Sequence, residues 1–306
     1  PLFSLLFGQA PSKYLQGIEN RLRSLDVTDR KYGDHNGNRI FNRFYNFGGI
    51  GDAGGSLSGI YPYGSGHSYF YEFTPVVAAS VIDTNGNRVH IVSDGAVALK
   101  DNSPQGYQWG FEPLTGYANP NQEIMAMSDK SFTWPETWPN RESDWDGFWN
   151  GQYGKYVRAD QESYFVMDDY YNDEFSYFPD STDIGAVPKR RSGLGVELEV
   201  RVYQWNHPAA EDIIIVTYWI TNVGTSRLDS VIFGMYGDAD IGSTNGDYTD
   251  DDAWFDVEND IVYQWDHDGW SNADGGFKPV YFGWSFLESP GNPHDGIDND
   301  GDGMID

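Results

Sequence analysis

The chain has 306 residues, with 19 Lys and Arg against 47 Asp and Glu, and its formal net charge is −28. A surface of this sign repels phosphate groups, so nucleic acids and anionic membranes are poor partners and divalent cations are suitable ones. The 11 Trp, 21 Tyr and 18 Phe predict a folded chain. Cysteine is absent, which excludes disulfides, thiolate metal sites and thiol nucleophiles.

The N-terminal segment Pro1 to Ala10 has the composition of the end of a secretory signal peptide, with Ala10 as the small residue before cleavage. The alternative is a buried first strand or helical turn. A signal-peptide remnant at residues 1–10 predicts a secreted protein or one on the outer cell surface. No run of 18 apolar residues is present, so no membrane span is expected.

Helical periodicity is scarce. Apolar residues between Tyr14 and Leu25 recur at i, i+3 and i+4 spacing and predict one short helix. Two apolar runs, Val76 to Ile82 and Arg88 to Ser93, flank a turn that contains Asn85-Gly86. Because Asn-Gly adopts the positive φ angles of a tight turn, this segment predicts a β-hairpin.

Strand patterns dominate the rest of the chain. In residues 196–203, Val and Leu alternate with Glu, Arg and Tyr, which predicts a strand with one dry and one wet face. Further strands are predicted at 213–220, 228–236, 261–265 and 280–287. Short strands at this spacing predict an all-β fold of antiparallel β-sandwich domains with long aromatic and acidic loops.

A basic segment, Pro188 to Arg191, interrupts the acidic part of the chain. It divides the sequence into an aromatic-rich β region at 11–185 and a β-sandwich domain at 186–292, followed by a calcium-binding repeat at 293–306. The alternative is that the aromatic-rich region belongs to the same sheet as the later strands.

The C-terminal residues have the spacing of a calcium loop, in which side-chain oxygens at positions 1, 3 and 5 and a carbonyl at position 7 bind one ion. The residues in these positions, with position 9, are Asp298, Asp300, Asp302, Met304 and Asp306. The chain ends before the bidentate Glu of position 12. Together with the missing initiating Met, this leads us to expect a fragment of a longer protein. The alternative is a solvated acidic tail, because Asp, Asn and Gly favour turns.

No helix pattern leads into this loop, because Ser289-Pro290-Gly291-Asn292-Pro293 precedes it. Residues 295–306 therefore resemble a thrombospondin type 3 calcium repeat rather than a paired helix-loop-helix sensor. The resemblance implies Ca²⁺ and an extracellular location, and no particular activity.

A second acidic cluster follows the strand predicted at 228–236. Its carboxylates are Asp238, Asp240, Asp250, Asp251 and Asp252, with the first two at the strand exit and the others on a returning loop. Like charges at this density are unfavourable unless a cation or solvent separates them. We therefore predict a structural calcium site here, with a solvated acidic loop as the alternative.

This region also carries a wider resemblance. The segments 217–222, 228–231, 237–242 and 250–251 resemble a β-rich part of large, mostly uncharacterised surface proteins of bacteria that use type IX secretion. The resemblance covers about residues 120–306. It implies a secreted or cell-surface location more than an activity, and a structural role for the acidic loop.

Four tryptophans form the densest indole cluster of the chain and are interleaved with carboxylates and amides: Trp134, Trp138, Trp145 and Trp149. Flat aromatic faces beside hydrogen-bonding groups suit a sugar-binding cleft, so these residues are candidate glycan contacts. Packing of a loop against the core is the favoured alternative, since Trp side chains bury large areas.

The sequence defines no catalytic residue and no organic cofactor site. A pair of carboxylates could hydrolyse a glycosidic bond, and candidates near the centre of the chain are Asp160, Glu162, Asp168, Asp169 and Glu174. With 47 carboxylates, however, such pairs carry no information. His267, between Asp266 and Asp268, is a candidate metal ligand, although a polar turn is favoured there.

The sequence thus predicts a secreted or cell-surface β protein with structural calcium sites, acting in adhesion, glycan contact or surface architecture. Its expected partners are calcium and extracellular glycans or other surface proteins. A polysaccharide-active enzyme and a passive spacer are the alternatives.

Overall fold

The computed structural model describes residues 29–53, 57–96, 109–185, 190–242 and 249–287. The predicted signal-peptide remnant, the predicted helix near Tyr14 and the terminal calcium loop lie outside these residues. Asp298, Asp300, Asp302, Met304 and Asp306 are therefore not placed.

The described residues form strands and a few short 3-10 turns. In chain order the strands are β1 (Tyr32–His35), β2 (Asn42–Tyr45), β3 (Phe70–Ile82), β4 (Arg88–Asp94), β5 (Glu112–Pro113), β6 (Ala126–Met127), β7 (Gln161–Asp168), β8 (Val196–Gln204), β9 (Ile215–Asn222), β10 (Asp229–Ala239), β11 (Asp251–Asp256), β12 (Ile261–Asp266) and β13 (Phe282–Ser285). None of the described helical segments is long and apolar enough to cross a bilayer.

All of the strand pairs are antiparallel. The largest sheet has the order β5-β7-β8-β9, with β6 also paired to β7. A second sheet has the order β10-β3-β4, a third has the order β11-β12-β13, and β1 pairs with β2. The prediction of an all-β, β-sandwich-type fold built from antiparallel sheets is confirmed.

The predicted hairpin is formed by β3 and β4, with Ile82 opposite Arg88. Gly86 adopts a φ of +83° in the connecting turn. The carboxylate of Asp83 accepts hydrogen bonds from the amides of Asn85 and Asn87, at 2.9 and 2.7 Å. Local turn chemistry therefore determines the register of this hairpin.

The main core lies between the largest sheet and the β10-β3-β4 sheet. Val77, Ala79 and Val81 of β3 are buried and alternate with more exposed residues, as expected for a strand with one face on a core. They belong to one cluster with Leu198 and other apolar residues of β8.

The prediction that one face of residues 196–203 is exposed to solvent is wrong, because β8 is covered on both faces. A second core, built by residues 114–149, lies on the side that carries Glu197, Glu199 and Arg201. Arg201 is placed 4.0 Å from the ring centre of Tyr164, and the Tyr164 hydroxyl donates to Glu199 at 2.8 Å. Glu199 and Arg201 on this face of β8 thus have partners in the second core and the loop that precedes β7.

Strand pairing runs across the position predicted to separate residues 11–185 from residues 186–292. β7 lies before it and β8 after it, and the two strands pair along eight residues. β3 and β10 are also on opposite sides of that position and pair with each other.

The β11-β12-β13 sheet packs on one end of the main core through β13. The rings of Phe282 and Trp284 lie 5.4 and 4.9 Å from the ring of Phe73 in β3. This contact places the acidic hairpin β11–β12 beside the end of β10.

Candidate metal centre

The hairpin β11–β12 brings together carboxylates that are distant in sequence. Asp251, predicted on a returning loop, is instead the first residue of β11, so that loop prediction is wrong for Asp251 and Asp252. Asp251 lies directly opposite Asp266, the last residue of β12. Opposed residues of antiparallel strands place their side chains on the same face of the sheet. The two carboxylates therefore converge at the open end of the hairpin.

Three carboxylates form a group that could hold a metal ion: Asp250, Asp266 and Asp268. One oxygen from each lies within 4.8 Å of the others. A turn orients two of them, because the amide of Trp270 donates to both Asp266 Oδ1, at 2.8 Å, and Asp268 Oδ1, at 2.9 Å. Gly269, which lies between Asp268 and Trp270, has a φ of +74° and permits this sharp turn.

Several oxygens of this cluster are buried without a partner. Asp250 Oδ1, Asp251 Oδ1 and Asp266 Oδ2 accept no hydrogen bond within the part of the chain that the structure describes. Asp266 is only 3 % exposed. Buried carboxylate oxygens are normally paired, since their desolvation is costly. A bound cation would supply the missing partner for Asp250 and Asp266, which belong to the group, and would offset the charge of Asp251 beside them.

Three carboxyl groups in or beside the cluster have raised pKa values. Burial, together with the charges of Asp266, Asp240 and Asp250, raises the pKa of Asp251 to about 7 against the lowering effect of the Ile241 amide. Burial, with the charge of Asp238, raises the pKa of Asp240 to about 6. Burial is also the main cause of the raised pKa of Asp266.

The donor set fits a hard divalent cation. All donors of the group are carboxylate oxygens, which Ca²⁺ and Mg²⁺ prefer to nitrogen or sulfur. Ca²⁺ binds oxygens at 2.3–2.6 Å, so opposite ligands lie up to ~5 Å apart, whereas opposite Mg²⁺ ligands lie ~4.2 Å apart. The three oxygens lie within 4.8 Å of one another, a limit that is compatible with either ion. Asp250, Asp266 and Asp268 would hold the ion, and Asp251 adjoins them.

The structure brings together some of the predicted ligands and separates others. Asp250 is in the group, and Asp240 and Asp251 adjoin it. Asp238 is an exposed residue of β10 opposite Glu72. Asp252 is directed to the other face of β11, where one of its oxygens lies 2.7 Å from His267 Nδ1.

Sequence reasoning did not include Asp266 and Asp268 in this site. The predicted polar turn is present, since the Gly269 amide donates to the Asp266 carbonyl at 3.2 Å. The signal that could have found the two ligands is the Asp-x-Asp-Gly spacing directly after a strand. His267, the ligand candidate between them, contacts Asp252 instead.

The four clustered tryptophans pack in the second core. Trp138 and Trp149 are 3 % and 2 % exposed, and Trp134 and Trp145 pack against them. The Trp149 indole donates to Glu162 Oε2 at 2.6 Å, and the Trp138 indole donates to the Phe148 carbonyl at 2.9 Å. These contacts agree with the packing alternative.

Three of the five carboxylates considered for glycoside hydrolysis are used in internal contacts. Glu162 accepts from Trp149 and from two backbone amides, and Asp168 pairs with Arg191 at 3.0 Å. Asp169 accepts from the amides of residues 194–196. A cavity of about 200 Å³ beside the second core has Lys31 among its lining residues, and none of these three carboxylates lines it.

Comparisons with protein-family models, with curated proteins and with solved structures find no match for this chain. The fold and the site together define the class: an all-β protein of packed antiparallel sheets with a carboxylate cluster at the end of a hairpin.

Proposed function

We propose that the chain is a secreted or cell-surface β protein in which Asp250, Asp266 and Asp268 hold a structural Ca²⁺ ion. The observation that carries the metal site is the set of buried, unpartnered oxygens of Asp250, Asp251 and Asp266. Its proposed role is adhesion, glycan contact or surface architecture, and the surface location is supported by the signal-like segment at residues 1–10 and by the acidic composition.

The ion would act on the architecture rather than on a substrate. It would link the start of β11 to the end of β12 and to the turn at Gly269, and it would remove the repulsion among the carboxylates. The Ile241 amide donates to Asp251 Oδ2 at 2.8 Å, so the end of β10 is tied to the same cluster. Calcium binding would thus stabilise the sheet that packs on the end of the core.

The test is thermal unfolding of the full chain with millimolar Ca²⁺, with millimolar Mg²⁺ and with a chelator, alongside calorimetric titration of Ca²⁺. Extracellular calcium modules bind at about 0.1–1 mM, and stabilisation should increase with ion concentration by mass action. A melting temperature that rises with Ca²⁺ well above its value with Mg²⁺ is expected. Equal melting temperatures under the three conditions would contradict the metal site.

A further inference from the structure

The outer face of the β11-β12-β13 sheet carries an aromatic cluster. Trp254 lies directly opposite Tyr263, and Trp265 lies two residues further along β12. Because side chains alternate along a strand, these three share one face. The ring of Tyr281, just before β13, lies 5.9 Å from Tyr263 and 5.7 Å from Trp265. We call these four residues the aromatic face.

The aromatic face is open to solvent. Trp254 is 61 % exposed and Tyr281 is 68 % exposed. The opposite side of the same sheet is the one that packs on the core, through Phe282 and Trp284. Exposed and contiguous aromatic surface marks interaction sites, and Trp and Tyr are the residues that contribute most to binding at such sites.

The negative charge around the aromatic face indicates which kind of partner can bind there. Asp252 lies on the same face, directly opposite Trp265. Residues 249–287 contain nine Asp and Glu and a single Lys. This field attracts positively charged groups and repels phosphate, sulfate and carboxylate groups. A cationic partner is therefore complementary in charge.

Elsewhere in the chain, basic side chains are bound by an aromatic ring and a carboxylate together. Arg43 lies 4.0 Å from the ring centre of Tyr32 and bonds Asp34 at 2.7 Å. Lys155 likewise lies 5.5 Å from the ring centre of Trp145 and 2.6 Å from Asp144. The ring quadrupole and the carboxylate both attract the cation.

On the aromatic face, Trp265 lies directly opposite Asp252, and one oxygen of this carboxylate contacts His267 Nδ1 at 2.7 Å. Over residues 29–53, 57–96, 109–185, 190–242 and 249–287, no Arg or Lys side chain lies on any of its four rings. We propose that this face binds an Arg- or Lys-bearing segment of a partner protein, with the cationic groups on Trp254 and Tyr281 and the counter-charge from Asp252. This inference rests on the proposed role in surface contacts, but it uses no metal ligand.

The test is a calorimetric titration, at low and high salt, of the calcium-saturated full chain with a flexible peptide of alternating Arg and Gly. Trp254→Ala and Tyr281→Ala should each weaken binding by about two- to fivefold, as expected for exposed cation–π contacts. The double variant should weaken it by roughly tenfold or more. Net charge is unchanged in all of these variants.

Trp219→Ala is the matched control, because Trp219 is 68 % exposed but lies on β9 of the largest sheet. It should bind the peptide like the parent. A Glu-Gly peptide and a neutral glucan hexasaccharide should not bind. The proposal is overturned if the double variant binds like the parent, if Trp219→Ala loses as much affinity, or if the hexasaccharide binds in place of the peptide.

The same samples separate this proposal from that of the metal site. A normal calcium-dependent rise in melting temperature without peptide binding overturns only the assignment of the aromatic face. Peptide binding that is lost in the double variant, in a protein that shows no calcium effect, supports the aromatic face and contradicts the metal site.

Discussion

Asp251 and Asp266 face each other across the open end of the β11–β12 hairpin, and each has one buried carboxylate oxygen that accepts no hydrogen bond from the described residues. Like charges placed directly opposite in a sheet are destabilising. Without an ion, this pair therefore opposes the strand pairing that creates it. A divalent cation bound by Asp266 would relieve this repulsion and so stabilise the hairpin.

The first prediction concerns Asp266→Asn. At a calcium concentration 100 times Kd, the ion adds about 2.7 kcal/mol to the free energy of unfolding, which corresponds to a rise in melting temperature of about 4 °C for a chain of this length. Asp266→Asn should abolish most of this rise. In chelator, the variant should be at least as stable as the parent, because a repulsive charge has been removed.

Asp252→Asn is the matched control for that variant, because Asp252 follows Asp251 on the same strand but is directed to the opposite face. Its calcium-dependent rise should equal that of the parent. Differential scanning fluorimetry with and without Ca²⁺ measures the calcium-dependent rise in melting temperature of the two variants. An equal loss in the two variants would point to the total negative charge rather than to a defined site.

A second prediction concerns pH. The pKa values of Asp251, about 7, and Asp240, about 6, lie above the ordinary value of 3.8. Between about pH 4 and pH 7 the folded chain therefore holds these protons more tightly than the unfolded chain. Their contribution to stability is complete at the acidic end of this window and is lost as the pH rises through the folded pKa.

The ion-free protein should accordingly melt at a lower temperature at pH 7.5 than at pH 5. Calcium requires the deprotonated carboxylates, so the calcium-dependent rise should increase over the same range. Asp251→Asn should flatten the pH dependence in chelator, leaving the part due to Asp240, to Asp266 and to Asp169, whose pKa is raised to about 6 by burial. Melting curves at four pH values test this. A calcium effect that is equal at pH 5 and pH 7.5 would contradict it.

The features that could be predicted from the sequence are those that depend on residues close together along the chain. The Asn85-Gly86 turn and the apolar runs on either side of it lie within a few residues of one another, so the hairpin was recognisable. The alternation in β8 was also visible, but its polar face is covered by residues 114–149. Nothing in the local sequence of β8 indicates that cover.

The metal centre shows the same limit. Its acidic composition was recognised around Asp240 and Asp250, while Asp266 joins the site only through the pairing of β11 with β12. The turn containing Asp268 was identified, although its carboxylates were not connected to Asp250. Ligand sets that depend on strand register require that register to be known.

A third prediction tests whether the clustered tryptophans are packing residues. Trp149 is 2 % exposed and its indole donates to Glu162. Trp149→Ala should lower the free energy of unfolding by about 3–5 kcal/mol, the usual cost of removing a large buried aromatic side chain. Trp219→Ala, at an exposed site on β9, should change it by less than about 0.5 kcal/mol. Urea unfolding followed by circular dichroism measures both, and similar midpoints for the two variants would contradict the packing role.

The last prediction concerns the contact between β10 and β3 that supports the third sheet. Gly237 lies opposite Phe73, and a Cβ atom added at Gly237 would lie 1.8 Å from the Phe73 ring. That ring is also the one that Phe282 and Trp284 contact, so it has little freedom to move. Gly237→Ala should destabilise the protein by about 1–3 kcal/mol or more, as overpacking does.

Gly234 provides the control on the same strand, because a Cβ atom there meets nothing within 4 Å. Gly234→Ala should be neutral or should stabilise by up to about 1 kcal/mol, since Gly is unfavourable within a strand. Because Phe73 supports β13 and β13 pairs with β12, Gly237→Ala should also weaken calcium binding, whereas Gly234→Ala should not. Calorimetric titration of the two variants decides this. Equal calcium affinity in both would show that the metal centre is insensitive to the packing of β13 on the core.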